Sequence, residues 1–310
     1  MIEPVAEWLD PYILFTMATR HSSVLFVATA LLFITACPWM NDDDSGFTES
    51  SGPPPDPSKS YVCEMIGFTA SVVAGHQCVS NENSSTSVVL LEIRDFEGGT
   101  AVCTGTIVSD RHVLTAGHCF DDVIDETVSV LSFSAGSFRS SNAETVYRHP
   151  SYDPDPWLEL IPFDVAVIET LPGALDGAPS SPLLVSRSPE LGEAVYLAGF
   201  GLTSFNGYTS DQVVAGDASV RRVTDDHIRI DFVHGESHPC MGDSGGPLFL
   251  DSTELAIVGL VSQSAPEVAF EDLCDYGDQT LYVNLRNESI LSFIREVVVD
   301  ENGTSLLQEL

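Results

Sequence analysis

Ser244 stands in the run Cys240-Met241-Gly242-Asp243-Ser244-Gly245-Gly246-Pro247-Leu248. The flanking glycines admit a tight backbone turn that a Cβ would obstruct. Such a turn projects the hydroxyl outward and lets the amide N–H groups of Gly242 and Ser244 converge on one point. Two converging donors beside a serine suit acyl transfer, because they stabilise an oxyanion as it develops. A serine hydroxyl is a weak nucleophile alone and needs a base. Thr115-Ala116-Gly117-His118-Cys119 supplies an imidazole. Phe163-Asp164-Val165-Ala166-Val167-Ile168 supplies a carboxylate to orient it. Asp164 precedes an apolar strand pattern, where a bare carboxylate would be costly to bury; pairing with His118 meets that cost.

The elements that must hold these groups read as strands. Residues 87–93, 101–108, 127–133, 163–168, 194–198, 212–214, 227–232, 256–261 and 281–283 are short and β-branched, with Gly, Ser, Asn or Asp at their ends. That composition predicts an all-β fold, and the pattern alone leaves barrel and sandwich open. Residues 289–299 show a helical pattern, with Ile290, Phe293, Ile294 and Val297 on one face. The Pro/Gly/Ser-rich stretch 172–182 reads as a linker between two halves.

The chain has 310 residues, 44% of them hydrophobic, enough for a sizeable core. Its formal net charge is −34, with 46 acids against 12 bases. That balance excludes nucleic acid or an anionic membrane surface as a partner held through basic patches. The 7 cysteines include no Cys-x-x-Cys pair and no Cys/His cluster with zinc spacing, so disulfides in an oxidising compartment are expected, with no metal and no cofactor. Asp121, Asp122, Asp125 and Glu126 lack the turn glycine of a calcium loop and read as a solvated acidic loop.

Together the three motifs resemble those of the trypsin/chymotrypsin family of serine endopeptidases, over residues 72–299. The resemblance implies two antiparallel six-stranded β-barrels, at residues 72–176 and 177–287, with a C-terminal helix. It implies that His118 is the general base, that Asp164 fixes its tautomer, and that Ser244 is the nucleophile. Gly242 and Ser244 would form the oxyanion hole, and Ser262 would hydrogen-bond Asp164. It implies the disulfides Cys103–Cys119 and Cys240–Cys274; Cys63 and Cys78 are then left to pair. His238 falls at the base of the specificity pocket, where tryptic enzymes carry an aspartate, so cleavage after Arg or Lys is not expected. Ser264 and Thr280 match its walls. A narrowed pocket favours small residues; a pocket donating hydrogen bonds from His238, Ser264 and Thr280 favours acidic ones. Val72 matches the family's processed N-terminus, whose amine pairs with the aspartate before the serine, here Asp243. The substrates implied are proteins or peptides, cleaved by a monomer. A catalytically dead binding module would have lost one of the three residues. A periplasmic regulatory protease would lack disulfides and the aspartate before the serine.

The N-terminal region is of another kind. Residues 1–36 read as a signal region with Met17 as the true start: Arg20 and His21 precede an apolar run, Val24 to Ile34. The run ends Ile34-Thr35-Ala36-Cys37, which resembles a bacterial lipobox, and implies lipidation of Cys37 and export to the cell envelope. Otherwise the segment is an ordinary signal peptide cut near Ala36. Residues 37–61 are acidic and proline-rich, and read as a disordered tether. Residues 62–71 read as a pro-segment, and residues 300–310 as a loose tail.

Overall fold

The computed structural model describes residues 62–66, 78, 80–95, 99–121, 123–154, 160–202, 212–231, 237–251, 255–265 and 279–310. All lie in the second of two compact units, Gly52–Leu310. Val72, Cys37, Cys274, the signal region and the tether lie outside the described residues.

Six strands close the first barrel: β1 (Thr86–Asp95), β2 (Thr100–Ile107), β3 (His112–Thr115), β4 (Val123–Ser134), β5 (Ser137–Arg148) and β6 (Ala166–Thr170), in the order β1-β2-β3-β6-β5-β4. Six more close the second: β7 (Ala194–Gly199), β8 (Val214–Val223), β9 (His227–Asp231), β10 (Pro247–Asp251), β11 (Leu255–Ala265) and β12 (Gln279–Asn284), ordered β10-β11-β12-β9-β8-β7. Neighbouring strands pair antiparallel throughout. The fold is therefore two barrels rather than a sandwich, and closure leaves neither sheet with an open edge.

Each barrel has its own apolar filling, Val89, Leu91, Val113 and Ile168 in the first, Val195, Val220, Ile228 and Val258 in the second. A third cluster joins them. It packs Leu114, Val165 and Val167 with Phe200, Phe249 and Leu260, and takes in Ile290 and Ile294 of the helix. That helix, α1 (Glu288–Val297), begins where the Asn287 side chain accepts the backbone N–H groups of Ser289 and Ile290. None of the helices among the described residues is long and apolar enough to cross a membrane.

Three features differ from the sequence expectation. The polar strand β5 is absent from it, because most of its residues are exposed and only Ala143 and Val146 pack on the barrel's core, so its ladder partners β4 and β6 supply the stabilisation. Strand β4 starts at Val123, paired with Asp95, so Asp125 and Glu126 sit in a strand rather than a loop. Residues 300–310 are not loose. The Leu183 N–H donates to Gln308 O at 2.9 Å, Leu310 N–H donates to Leu183 O at 2.9 Å, and Val185 and Ser186 both donate to Leu310 O. Arg295 pairs with Glu309 at 2.6 Å, and Leu306 and Leu307 pack on the shared core. The segment leaving the first barrel offers backbone groups that the last residues satisfy.

Candidate active site

His118 lies in a 3-10 helix, Gly117–Phe120, just after β3. Its Nδ1 lies 2.8 Å from Asp164 Oδ2, and its backbone N–H donates to Asp164 Oδ1 at 2.8 Å. A carboxylate only accepts, so Nδ1 carries the proton and the neutral ring keeps its lone pair on Nε2. From β11, Ser262 Oγ donates to Asp164 Oδ2 at 2.5 Å. Asp164 is fully buried, and these three donors stand in for the water it has lost. The approach to Asp164 is tied to the second barrel as well: Ile161 N–H donates to Gln263 Oε1 at 3.1 Å, and His227 Nε2 lies 3.2 Å from Ile161 O.

Burial alone would lower the His118 pKa. The hydrogen bond and charge of Asp164, with the charge of Asp121 added, reverse this and raise it above the ordinary 6.5.

Ser244 sits in the turn entering β10. Gly242 has φ 97° and Gly245 φ 76°, a region that L side chains rarely adopt. A Cβ on Gly245 would lie 2.0 Å from Thr115 Oγ1 and 2.7 Å from Ala116 N, so the turn presses on the residues leading into His118. Both barrels hold it. Thr104 of β2 donates from N–H to Ser244 O at 2.8 Å and from Oγ1 to Gly242 O at 2.9 Å. Gly245 N–H donates to Val261 O at 2.8 Å. The Cys119 sulfur is 3.9 Å from Ser244 O. His118, Asp164, Ser262 and the Ser244 turn thus meet along the seam between the barrels.

Cys103 is bonded to Cys119, which fixes β2 to the His118 helix, and Cys63 is bonded to Cys78. Cys240 is in a disulfide. The Asp243 carboxylate lies between Gly199 and Gly201, where Cβ atoms would stand 2.0 Å and 2.4 Å from its oxygens. It accepts Gly201 N–H at 2.8 Å and Cys240 N–H at 2.9 Å. Burial pushes its pKa up to about 6 against the pull of those two bonds. His238 Nδ1 lies 3.4 Å from Oγ1 of the buried Thr280. Ser264 pairs with Thr280 across β11 and β12, and its side chain lies outside the description.

Two groups near His118 escape the sequence reading. Thr104 pins the Ser244 turn, and only its place beside Cys103 hints at that. The Tyr152 hydroxyl donates to both carboxylate oxygens of Asp121, at 2.8 and 2.9 Å, with Arg148 3.7 Å away. The Tyr152 ring comes within 3.3 Å of the point where a Cβ on Gly117 would stand. No sequence pattern announces a loop tyrosine in that role. Among the described residues no His/Cys/Asp/Glu group is placed to hold a metal ion.

A family model described as Trypsin matches residues 72–269. The chain is 26% identical over 211 residues to human "Trypsin-3", a match covering 60% of this chain and 65% of that protein, just under two thirds of its length. It is 27% identical over 195 residues to human "Serine protease 1", covering 57% and 73% of the two chains. Against "Anionic trypsin" of Bos taurus it is 25% identical over 226 residues, covering 67% and 87%.

Asp121 contributes negative charge beside His118, so Asp121→Asn should move the His118 titration down by about a few tenths of a pH unit. Following the imidazole signals by NMR across the titration tests this; an unmoved titration contradicts it.

Proposed function

The chain belongs to the trypsin family, and from that membership we propose that it is a serine endopeptidase. In this reading Ser244 attacks the scissile carbonyl, and His118 Nε2 takes the hydroxyl proton and later delivers it to the leaving amine. Asp164 keeps the ring in the correct tautomer and stabilises the imidazolium. The N–H groups of Gly242 and Ser244 receive the oxyanion. The observation that carries the reading is the Asp164 carboxylate, bonded at once to His118 Nδ1 and to Ser262 Oγ.

For specificity, we place His238 at the floor of the pocket that receives the side chain on the acyl side of the scissile bond, with Thr280 and Ser264 on its walls. The chain has His238 where tryptic enzymes carry an aspartate, so pairing with Arg or Lys is not expected. The approach of His238 to Thr280 narrows the space and favours small side chains. The same imidazole beside a hydroxyl supports a second reading, in which the two donate to a Glu or Asp side chain.

For activation, cleavage between Ser71 and Val72 would release an amine to pair with Asp243. The burial of Asp243, met by two backbone N–H groups and by no cation among the described residues, supports this. No Lys or Arg lies between Lys59 and Val72, so the cut would follow a small residue. The Cys63–Cys78 disulfide would retain the pro-segment, and through it an exported, lipidated Cys37 at the bacterial cell envelope. Closing its loop contributes roughly 3 kcal/mol in the chain-entropy model.

Ser244→Ala should abolish covalent labelling by a fluorophosphonate and lower kcat on the order of 10⁴-fold or more. A peptide library cut by the wild type should show small or acidic residues before the cut; undiminished labelling of the variant or a tryptic profile would overturn the proposal.

N-terminal sequencing of active, reduced protein should return Val72, with the released fragment carrying Cys37 partitioning into detergent. In the uncleaved chain the folded Asp243 pKa lies above the usual 3.8, so ionising this group costs stability as pH rises from about 4 through 6. Asp243→Asn should therefore stabilise the uncleaved chain at neutral pH and destabilise the cleaved one. Equal thermal shifts in both forms would refute the pairing, and a fragment found in the aqueous phase would refute the lipid anchor.

A further inference from the structure

Phe163, the residue before Asp164, has φ 57°. A bulky side chain rarely occupies that region, and one held there needs surroundings that leave it no alternative. The local backbone is correspondingly tight. Val165 N–H donates to Phe163 O at 2.7 Å, which puts Asp164 at the apex of a three-residue turn. His149 N–H donates to Val165 O at 3.0 Å and ties that turn to the end of β5.

What holds Phe163 is the ring of His149. The two rings stack with centroids 4.8 Å apart and planes 8° from parallel. Phe293 of α1 closes on the imidazole edge-on at 5.2 Å and 69°. Both ring nitrogens are engaged. Nδ1 accepts the Ser151 N–H at 3.1 Å, so the proton sits on Nε2, which donates to Ser289 Oγ at 3.2 Å in the first turn of α1. His149 is 3% exposed. A leucine would fill the space, but it would not fix the plane that a stacked Phe163 needs. The imidazole, bonded at both ends, does fix it.

We propose that His149 is a positioning residue: clamped by the C-terminal helix, it keeps Phe163 in its left-handed conformation and thereby sets the direction in which Asp164 meets His118. Relaxing Phe163 to negative φ would rotate the peptide entering Asp164 and swing its carboxylate away from the His118 N–H, His118 Nδ1 and Ser262 Oγ together. Helix α1 is coupled to the candidate site through this ring as well as through the apolar cluster that Ile290 and Ile294 share with Val165 and Val167. The kinetic consequence rests on the reading of Asp164 as the carboxylate that orients a catalytic His118.

The test compares full-chain wild type with His149→Ala, Ser289→Ala and, as a control, Asp164→Asn. The His118 titration is followed by NMR and peptide hydrolysis by kcat and KM. His149→Ala should move the His118 pKa down toward its ordinary value and lower kcat on the order of tenfold with KM unchanged. Ser289→Ala, an exposed change that leaves the fold in place, should shift both in the same direction by about twofold to threefold in kcat. A purely structural role predicts a lower Tm in His149→Ala with the His118 titration and kcat unmoved, and that result overturns the proposal. If His149→Ala does not fold, an unmoved His118 titration in Ser289→Ala overturns it. If Asp164→Asn hydrolyses peptide at the wild-type rate, the endopeptidase reading fails, and the His118 titration in the other two variants still decides the inference.

Discussion

A carboxylate taken out of water beside an imidazole must be given donors, and the direction from which those donors come fixes much else in this molecule. Asp164 receives two from His118 in the first barrel and one from Ser262 in the second. It can be satisfied only when the barrels are docked. The apolar cluster they share supplies the force for that docking, with Leu114, Val165 and Val167 meeting Phe200, Phe249 and Leu260. Position and stability are linked here: the contacts that bury the seam also place the groups within it.

The Ser244 turn obeys the same logic. Its carbonyls are held by Thr104 of the first barrel, and the N–H of Gly245 by Val261 of the second. Thr104 Oγ1 also accepts the Phe200 N–H at 3.1 Å, so a single hydroxyl ties β2 to two segments of the second barrel, the end of β7 and the turn entering β10. Two buried carboxylates flank this turn in different states. Asp164 is fully supplied with donors, whereas Asp243 has two backbone N–H groups, and burial raises its pKa. A buried charge in that condition is a place where a cation would stabilise the structure.

The parts of this arrangement that were legible in the sequence are those specified locally. Gly242 and Gly245 announce the turn because their conformations exclude other residues, and His118 and Asp164 each stand in short, distinctive runs. Strands rich in apolar and β-branched residues, such as β1 and β6, could be read for the same reason. What could not be read depends on partners distant in sequence. Strand β5 is polar and owes its existence to β4 and β6. The last residues are ordered by Leu183 and Val185, more than a hundred positions away. Thr104, Tyr152 and His149 look like ordinary polar residues until the fold brings Gly242, Asp121 and Phe163 to them.

The central claim is that the Asp164 carboxylate, held from both barrels, governs the His118 imidazole. The most direct measurement is the pKa of His118 by NMR in the folded Ser244→Ala chain, with and without Asp164→Asn. With the carboxylate present, His118 should titrate above 6.5. With asparagine in its place, burial is left to act with only the charge of Asp121 against it, and the titration should fall below 6.5. The same pKa in both proteins would contradict the account.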